Sequence, residues 1–314
     1  MTTFKLVTPV AFIIFNRPDT AARVFAEIAK ARPAKLLVIG DGPRTNRMGE
    51  AERVEATRAI IKQVDWECEV LTNFSEVNLG CKKRVASGID WVFEQVEEAI
   101  ILEDDCLPDP TFFRYCQEML ALYSEEKRVG IISGDNFQFG RKYGEDSYYF
   151  SKYVHIWGWA TWRDRWAGSY DVAISSWPRV RDEGRLIDLV GNADEAKYWS
   201  KIFERVFRGE IDTWDYQWLF ANWLQGRLNI MPRVNLISNI GFGSGATHTT
   251  GGGELANMTV ESMSFPLLHP LAIVRSIRAD SYSDRKCFRR PLWKRILGRI
   301  VVLFDSITKY LAGH

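Results

Sequence analysis

The densest concentration of reactive side chains in the sequence is Glu103-Asp104-Asp105, which follows the apolar run Ile100-Ile101-Leu102 directly. Three adjacent carboxylates at the end of a buried segment repel one another, and burial raises the cost of ionising them. A hard divalent cation relieves that repulsion. Mn2+ or Mg2+ takes oxygen ligands, typically one or two carboxylates together with substrate phosphates. The same triplet can instead be an acidic loop before a helix over 112–123, with Asp109 or Thr111 as its N-cap.

Other polar clusters could serve the same chemistry. Arg17, just past an apolar run over 10–15, is suited to a diphosphate or a base, or is a solvated loop arginine. Asp41 lies in Gly40-Asp41-Gly42-Pro43, where its carboxylate could accept from a ribose or base or merely stabilise the turn. Lys82, Lys83 and Arg84 follow Asn78-Leu79-Gly80. A basic run at a helix start opposes the macrodipole, which favours an anionic ligand there. Asp215, between Trp214 and Tyr216-Gln217-Trp218, reads as a general base in a partly apolar pocket or as a plain N-cap. The glycine-rich run 241–253 carries His248, which could meet metal or phosphate if this loop closes over a nucleotide; a plain surface loop accounts for the same composition. None of these fragments forms a Walker A or dinucleotide pattern.

The elements that must hold these residues alternate. Short apolar runs over 10–15, 36–39, 68–72 and 99–102 read as buried strands. Helical spacing covers 20–31, 50–64 and 84–96. This pattern predicts an α/β fold with a mostly parallel sheet covered on both faces. Ligands then sit beyond the carboxyl ends of the strands, at a topological switch point. Asn16-Arg17, Gly40-Asp41 and Glu103–Asp105 all fall at such ends. A further strand is expected over 129–133, then an aromatic-rich region and helices over 194–207 and 216–225. No internal repeat or low-complexity linker interrupts the chain.

With 314 residues, 46% of them hydrophobic and 26% charged, the composition is that of an ordinary globular protein and excludes wholesale disorder. A net charge of +1 provides no global basic field, so no nucleic-acid partner is expected. The five cysteines are scattered and form no CxxC pair, which fits free thiols in a reduced, cytoplasmic setting. The sequence shows no signal-peptide pattern and no apolar run long enough to span a bilayer.

Taken in order, PVAFIIFNRPD, VIGDGPR, NLGCKKRVASGIDW, AIILEDDCLPDPTFFRYCQEML, GIISGDN, HIWGWATWRDRW and TWDYQWLF resemble GT-A glycosyltransferases, within them the N-acetylglucosaminyltransferase I-like group. The similarity runs from about Pro9 to Phe242. The resemblance implies a GT-A type Rossmann-like sheet. It implies a nucleotide-sugar donor, UDP-linked by analogy, and a saccharide or glycoconjugate acceptor. Residue by residue it implies that Arg17 and Asp41 contact the nucleotide, that Glu103 and Asp104 face the nucleotide sugar, and that Asp105 ligates Mn2+ or Mg2+. Asp215 matches the catalytic base of an inverting transfer. The group carries two adjacent aspartates after the tryptophan, whereas here Tyr216 follows Asp215. Lys82 joins the expected nucleotide-sugar-binding set, and His248 is a second metal candidate.

On this reading residues 1–284 form the transferase domain, with a nucleotide-binding half at 1–135 and an acceptor-side half at 136–284. Residues 285–314 form an appendage. Within it, 292–311 reads as a helix whose apolar face includes Trp293, Ile296, Ile300 and Phe304, edged by Lys294, Arg295 and Arg299. A basic amphipathic helix suits an anionic membrane surface, so peripheral attachment at the inner membrane face is expected; packing on the domain or on a second copy is the other reading. The sequence leaves two alternative functions. One is a non-catalytic saccharide-binding or membrane-associated protein that keeps the fold. The other is a sugar-nucleotide pyrophosphorylase, disfavoured because Asn16-Arg17-Pro18 stands where a glycine-rich arginine loop would be.

Overall fold

The computed structural model describes residues 4–242 and 254–289. His248 and the expected helix over 292–311 lie outside the described residues.

The first half of the chain follows the expected alternation. Strand β1 (Val10–Ile14) leads to α1 (Pro18–Ala31), β2 (Lys35–Gly40), and α2 (Glu50–Ala59) with a 3-10 turn at Ile60–Gln63. Then come β3 (Glu69–Phe74), α3 (Gly80–Gln95) and β4 (Glu98–Glu103). After β4 the chain forms β5 (Cys106–Pro108), α4 (Thr111–Tyr123), β6 (Val129–Ser133), β7 (Tyr148–Ser151) and β8 (Trp159–Trp162). Helices α5 (Arg163–Trp166), α6 (Trp177–Asp182), α7 (Leu186–Val190), α8 (Ala193–Phe207) and α9 (Asp215–Leu224) follow. Strands β9 (Leu228–Pro232) and β10 (Ile237–Asn239), helix α10 (Ile277–Ser283) and a π-type turn at Asp284–Phe288 complete the described chain.

Eight strands form the main sheet in the order β3-β2-β1-β4-β8-β6-β9-β7. Pairs β3/β2, β2/β1, β1/β4 and β6/β9 are parallel, whereas β8 runs antiparallel to both β4 and β6, and β7 to β9. The expected sheet is therefore mixed at the β8 and β7 positions. The chain visits β7 at the far edge of the sheet before it returns to place β8 between β4 and β6.

The central strands are buried on both faces because residues alternate sides along a strand. Val10, Phe12, Ile14, Ile100 and Leu102 pack with α1 and α4 on one face. Ala11, Ile13, Ala99 and Ile101 pack on the other face with α3, Trp159, Trp166, Trp214 and Trp218. A third cluster, with Trp177, Trp199, Phe203 and Trp223, binds α6–α9 together. Trp159 and Trp218 are fully buried, so these two side chains are core and offer no surface for stacking on a sugar.

Strands β1, β2 and β3 step away in one direction while β4 lies on the other side of β1. Strand order thus reverses between β1 and β4, and their carboxyl ends open a crevice there.

Candidate active site

Pro18 occupies the first turn of α1, where its missing N–H costs nothing, and Arg17 stays outside the helix at φ −121 and ψ 74. From there the Arg17 guanidinium spans the crevice. Its Nη1 donates to Asp105 Oδ2 at 2.7 Å, and its Nη2 lies 3.1 Å from Asp104 Oδ1. Asp104 Oδ2 accepts the Phe15 N–H at 3.0 Å. Asp104 therefore clasps the end of β1 to the end of β4, while Asp105 reaches the same arginine one residue later.

Burial alone would lower the Arg17 pKa, but Asp104, Asp105 and Glu103 more than offset it and hold it above its ordinary value. The acids respond in the opposite sense. Burial, then Asp105 and Asp104, push Glu103 up to about 8. Burial lifts Asp104 to about 6, against the pull of Arg17. One guanidinium does not neutralise this triplet.

Beside it lies a cleft of about 340 Å³, lined among others by Phe15, Arg17, Asp41, Asn78, Glu103 and Asp104. Arg44 forms part of the same wall. Its guanidinium sits 5.5 Å from the centre of the Phe15 ring and pairs with the buried Glu50, which it holds down at about 2. Asn16 donates to the same carboxylate at 2.8 Å.

Asp41 lines this cleft, but its carboxylate already accepts from the backbone N–H groups of Gly42, Leu79 and Gly80 and from Asn78 Nδ2. It thereby fastens the loop after β3 to the end of β2. Burial raises its pKa against those hydrogen bonds. Helix α3 begins at Gly80, earlier than the spacing suggests, so Lys82, Lys83 and Arg84 fall inside its first turns. Arg84 is buried in the cleft wall and donates to the Gly40 carbonyl and to both oxygens of Asn73, bracing β2 against β3. Lys82 is half-buried and is not among the residues lining the cleft.

Asp215 is the first residue of α9, where the helix dipole favours a carboxylate, and it accepts from Thr213 Oγ1. Its charge is close enough to raise the pKa values of Glu103 and of Cys81, whose thiol lines the cleft. Asp212, exposed just before it, stands at the cleft mouth beside Gly80. The structure thus gathers Arg17, Asp41, Glu103 and Asp104 around one cleft, with Asp105 joined through Arg17 and Asp215 nearby.

Sequence reasoning missed two features. The first is Gly241. Ile240 N–H donates to the Asp105 carbonyl at 2.8 Å, which draws the chain after β10 over the crevice. A Cβ on Gly241 would lie 2.1 Å from Asp105 Oδ2 and 2.5 Å from Arg17 Nη1. Only glycine fits that approach, and the glycine run gave no way to single this one out. The second is a buried pair at the carboxyl end of β6. His155 Nδ1 lies 2.7 Å from Asp135 Oδ1, and Asp135 Oδ2 accepts the Trp157 N–H at 3.1 Å. Phe137 stacks on His155 at 4.4 Å, and Trp157 sets its edge against Phe137 and Phe242. His155 Nε2 is buried with no partner among the described residues.

Among the described residues no group of three or more His, Cys, Asp or Glu side chains converges as a ready metal site. No helix there is long and apolar enough to cross a membrane.

No family model and no curated protein matches the chain. Among solved structures it is similar to UDP-glucose pyrophosphorylase complexed with UDP-glucose, at 10% identity over 50% of this chain and 69% of that one, with a TM-score of 0.28. It is also similar to apo UDP-glucose pyrophosphorylase, at 9% identity over 73% of this chain and 93% of that one, with a TM-score of 0.35. Likeness this slight says nothing about activity.

Proposed function

We propose that the chain is a metal-dependent glycosyltransferase of the GT-A type that moves a sugar from a nucleoside diphosphate, UDP by analogy, to a hydroxyl of a saccharide or glycoconjugate. The observation that carries this reading is the crevice between β1 and β4, where an acid excess and an arginine share one cleft at the strand-order reversal.

The carboxylates fit Mn2+ or Mg2+. They are all-oxygen donors, and Glu103, raised to about 8 by burial and by its acidic neighbours, is a group that a dication would favour in its ionised form. Asp105 and Glu103 would hold the ion, which would supply charge stabilisation for the departing nucleoside diphosphate. Arg17 binds and orients the diphosphate from the β1 side. Asp41 keeps Asn78 and the start of α3 in place along the cleft. Asp215 takes the proton of the acceptor hydroxyl as its oxygen attacks the anomeric carbon, and attack from the face opposite the leaving group inverts the centre.

Calorimetry of the purified protein with UDP, GDP, ADP and CDP, with and without Mn2+, tests the donor site. One nucleotide should bind only with metal, and Asp105→Ala should abolish that binding. Absence of nucleotide binding under every condition would refute the reading. Incubating the matching nucleotide sugar with pyrophosphate separates transfer from pyrophosphorolysis; nucleoside triphosphate formation would favour the latter.

A further inference from the structure

Away from the cleft, α8 presents Lys197, Lys201 and Arg205 at four-residue spacing, hence on one face. With Arg289 they surround a groove of about 580 Å³ whose floor is Tyr198, Ile202 and Phe288. Arg205 meets the exposed Glu210 at 3.4 Å, and Arg289 is held by Asp284 and Asp194. Lys197 and Lys201 have no ion-pair partner among the described residues, so the groove keeps a net positive charge.

A second feature lies near the start of α8. Leu268, Leu271, Val274 and Ile277 recur every third residue and are 56%, 107%, 68% and 67% exposed. Single exposed leucines are ordinary, but four within ten residues are not. Arg275 and Arg278 are interspersed with them. The strip is anchored rather than loose. Ser276 N–H donates to the Phe150 carbonyl, and Arg275 pairs with the buried Asp280. Asp280 also accepts the Lys152 N–H, and Lys152 Nζ reaches the Val190 carbonyl and Glu195 at the start of α8. One buried polar network thus fixes the apolar strip and the α7–α8 corner to each other.

We propose that this strip and the α8 groove together form a docking surface for an anionic lipid bilayer, with apolar side chains entering the interface and Lys197 and Lys201 meeting phosphate headgroups. Apolar burial and basic attraction act jointly at such surfaces. Soluble phosphate would satisfy the lysines but leave Leu271 and Val274 in water. The inference is independent of the donor-site reading.

Co-sedimentation of the full chain with phosphatidylcholine vesicles, with and without phosphatidylglycerol, provides the test. Binding should require phosphatidylglycerol and weaken with salt. Lys197→Glu/Lys201→Glu and, separately, Leu271→Ser/Val274→Ser should each weaken it by about tenfold or more, with melting temperature unchanged. The proposal is overturned if anionic vesicles do not bind, if inorganic phosphate binds at the lysines while vesicles do not, or if either double variant binds as the parent does. A concentration-dependent dimer lost in Leu271→Ser/Val274→Ser would also overturn it, by assigning the strip to a second copy.

Discussion

Glu103→Gln isolates the electrostatic reasoning about the crevice. Glu103 ends β4 beside Asp104 and Asp105, and its carboxyl is raised from 4.5 to about 8 by burial and by those neighbours. An acid with a raised folded-state pKa binds its proton more tightly folded than unfolded, so stability falls as pH rises, here between 4.5 and about 8. At about 1.4 kcal/mol per pKa unit, the ceiling is about 5 kcal/mol. Asp104, lifted to about 6, shares in the same repulsion, so removing one charge should recover a part of it, about 2 kcal/mol. For a chain of this size that is about 3 °C in melting temperature.

Scanning calorimetry from pH 5 to 8.5 without metal should therefore show Glu103→Gln converging with the parent at the acid end and melting higher at the alkaline end. Saturating Mn2+ should reverse the order near neutrality, because the parent gains a ligand that the amide replaces poorly. A melting difference that is the same at pH 5 and pH 8.5, or a variant less stable at pH 8.5 without metal, would refute the account of crowded carboxylates.

Other substitutions probe separate parts of the site. Gly241→Ala places a methyl group against Asp105 and Arg17 and should cost about 1–3 kcal/mol in denaturant unfolding while weakening nucleotide binding in calorimetry; an unchanged affinity would separate Gly241 from the donor site. Asp135→Ala strands His155 Nδ1 and the Trp157 N–H and should cost about 2–5 kcal/mol, with Asp135→Asn losing less; equal losses would mean that the hydrogen bonds contribute little. Asp215→Asn should lower kcat by about 10²–10⁴-fold with donor affinity retained, and a parallel loss of nucleotide binding would mark Asp215 as structural.

Much of the first half of this arrangement is legible in the sequence, because strands β1, β2 and β4 are short apolar runs each ending in a polar break at Asn16, Asp41 and Glu103. Local signals place those residues on one rim once the sheet is taken as parallel. What the sequence hides is division of labour. Asp41 and Arg84 have the right chemistry for a ligand, yet most of the hydrogen bonds that occupy them join them to residues more than ten positions away, Leu79 and Asn73 among them. The Arg17–Asp105 pair spans 88 positions and meets Gly241 from a third segment. The antiparallel insertion of β8 was hidden too, since an apolar run such as Trp159–Trp162 carries no mark of direction.

The charge balance of the cleft shows why such a site tolerates folding. Arg44 and Arg84 line it, but Glu50 engages the first, and Asn73 with the Gly40 carbonyl engages the second. Among the described residues only Arg17 pairs with this acidic group of Glu103, Asp104 and Asp105, with Asp212 and Asp215 close by. A chain shaped for stability alone would place apolar groups here, since one guanidinium shared among three crowded acids leaves their mutual repulsion only partly offset. The residues that carry this cost lie at the strand-order reversal and nowhere along the apolar runs that lead to it. Local rules broken at one point of an otherwise consistent sheet mark a place shaped for a ligand. On the proposed reading a cation would offset the acid excess, and Arg17, already paired with Asp104 and Asp105, would orient the anion that comes with it. A metal-bound diphosphate is the ligand we propose to meet both demands.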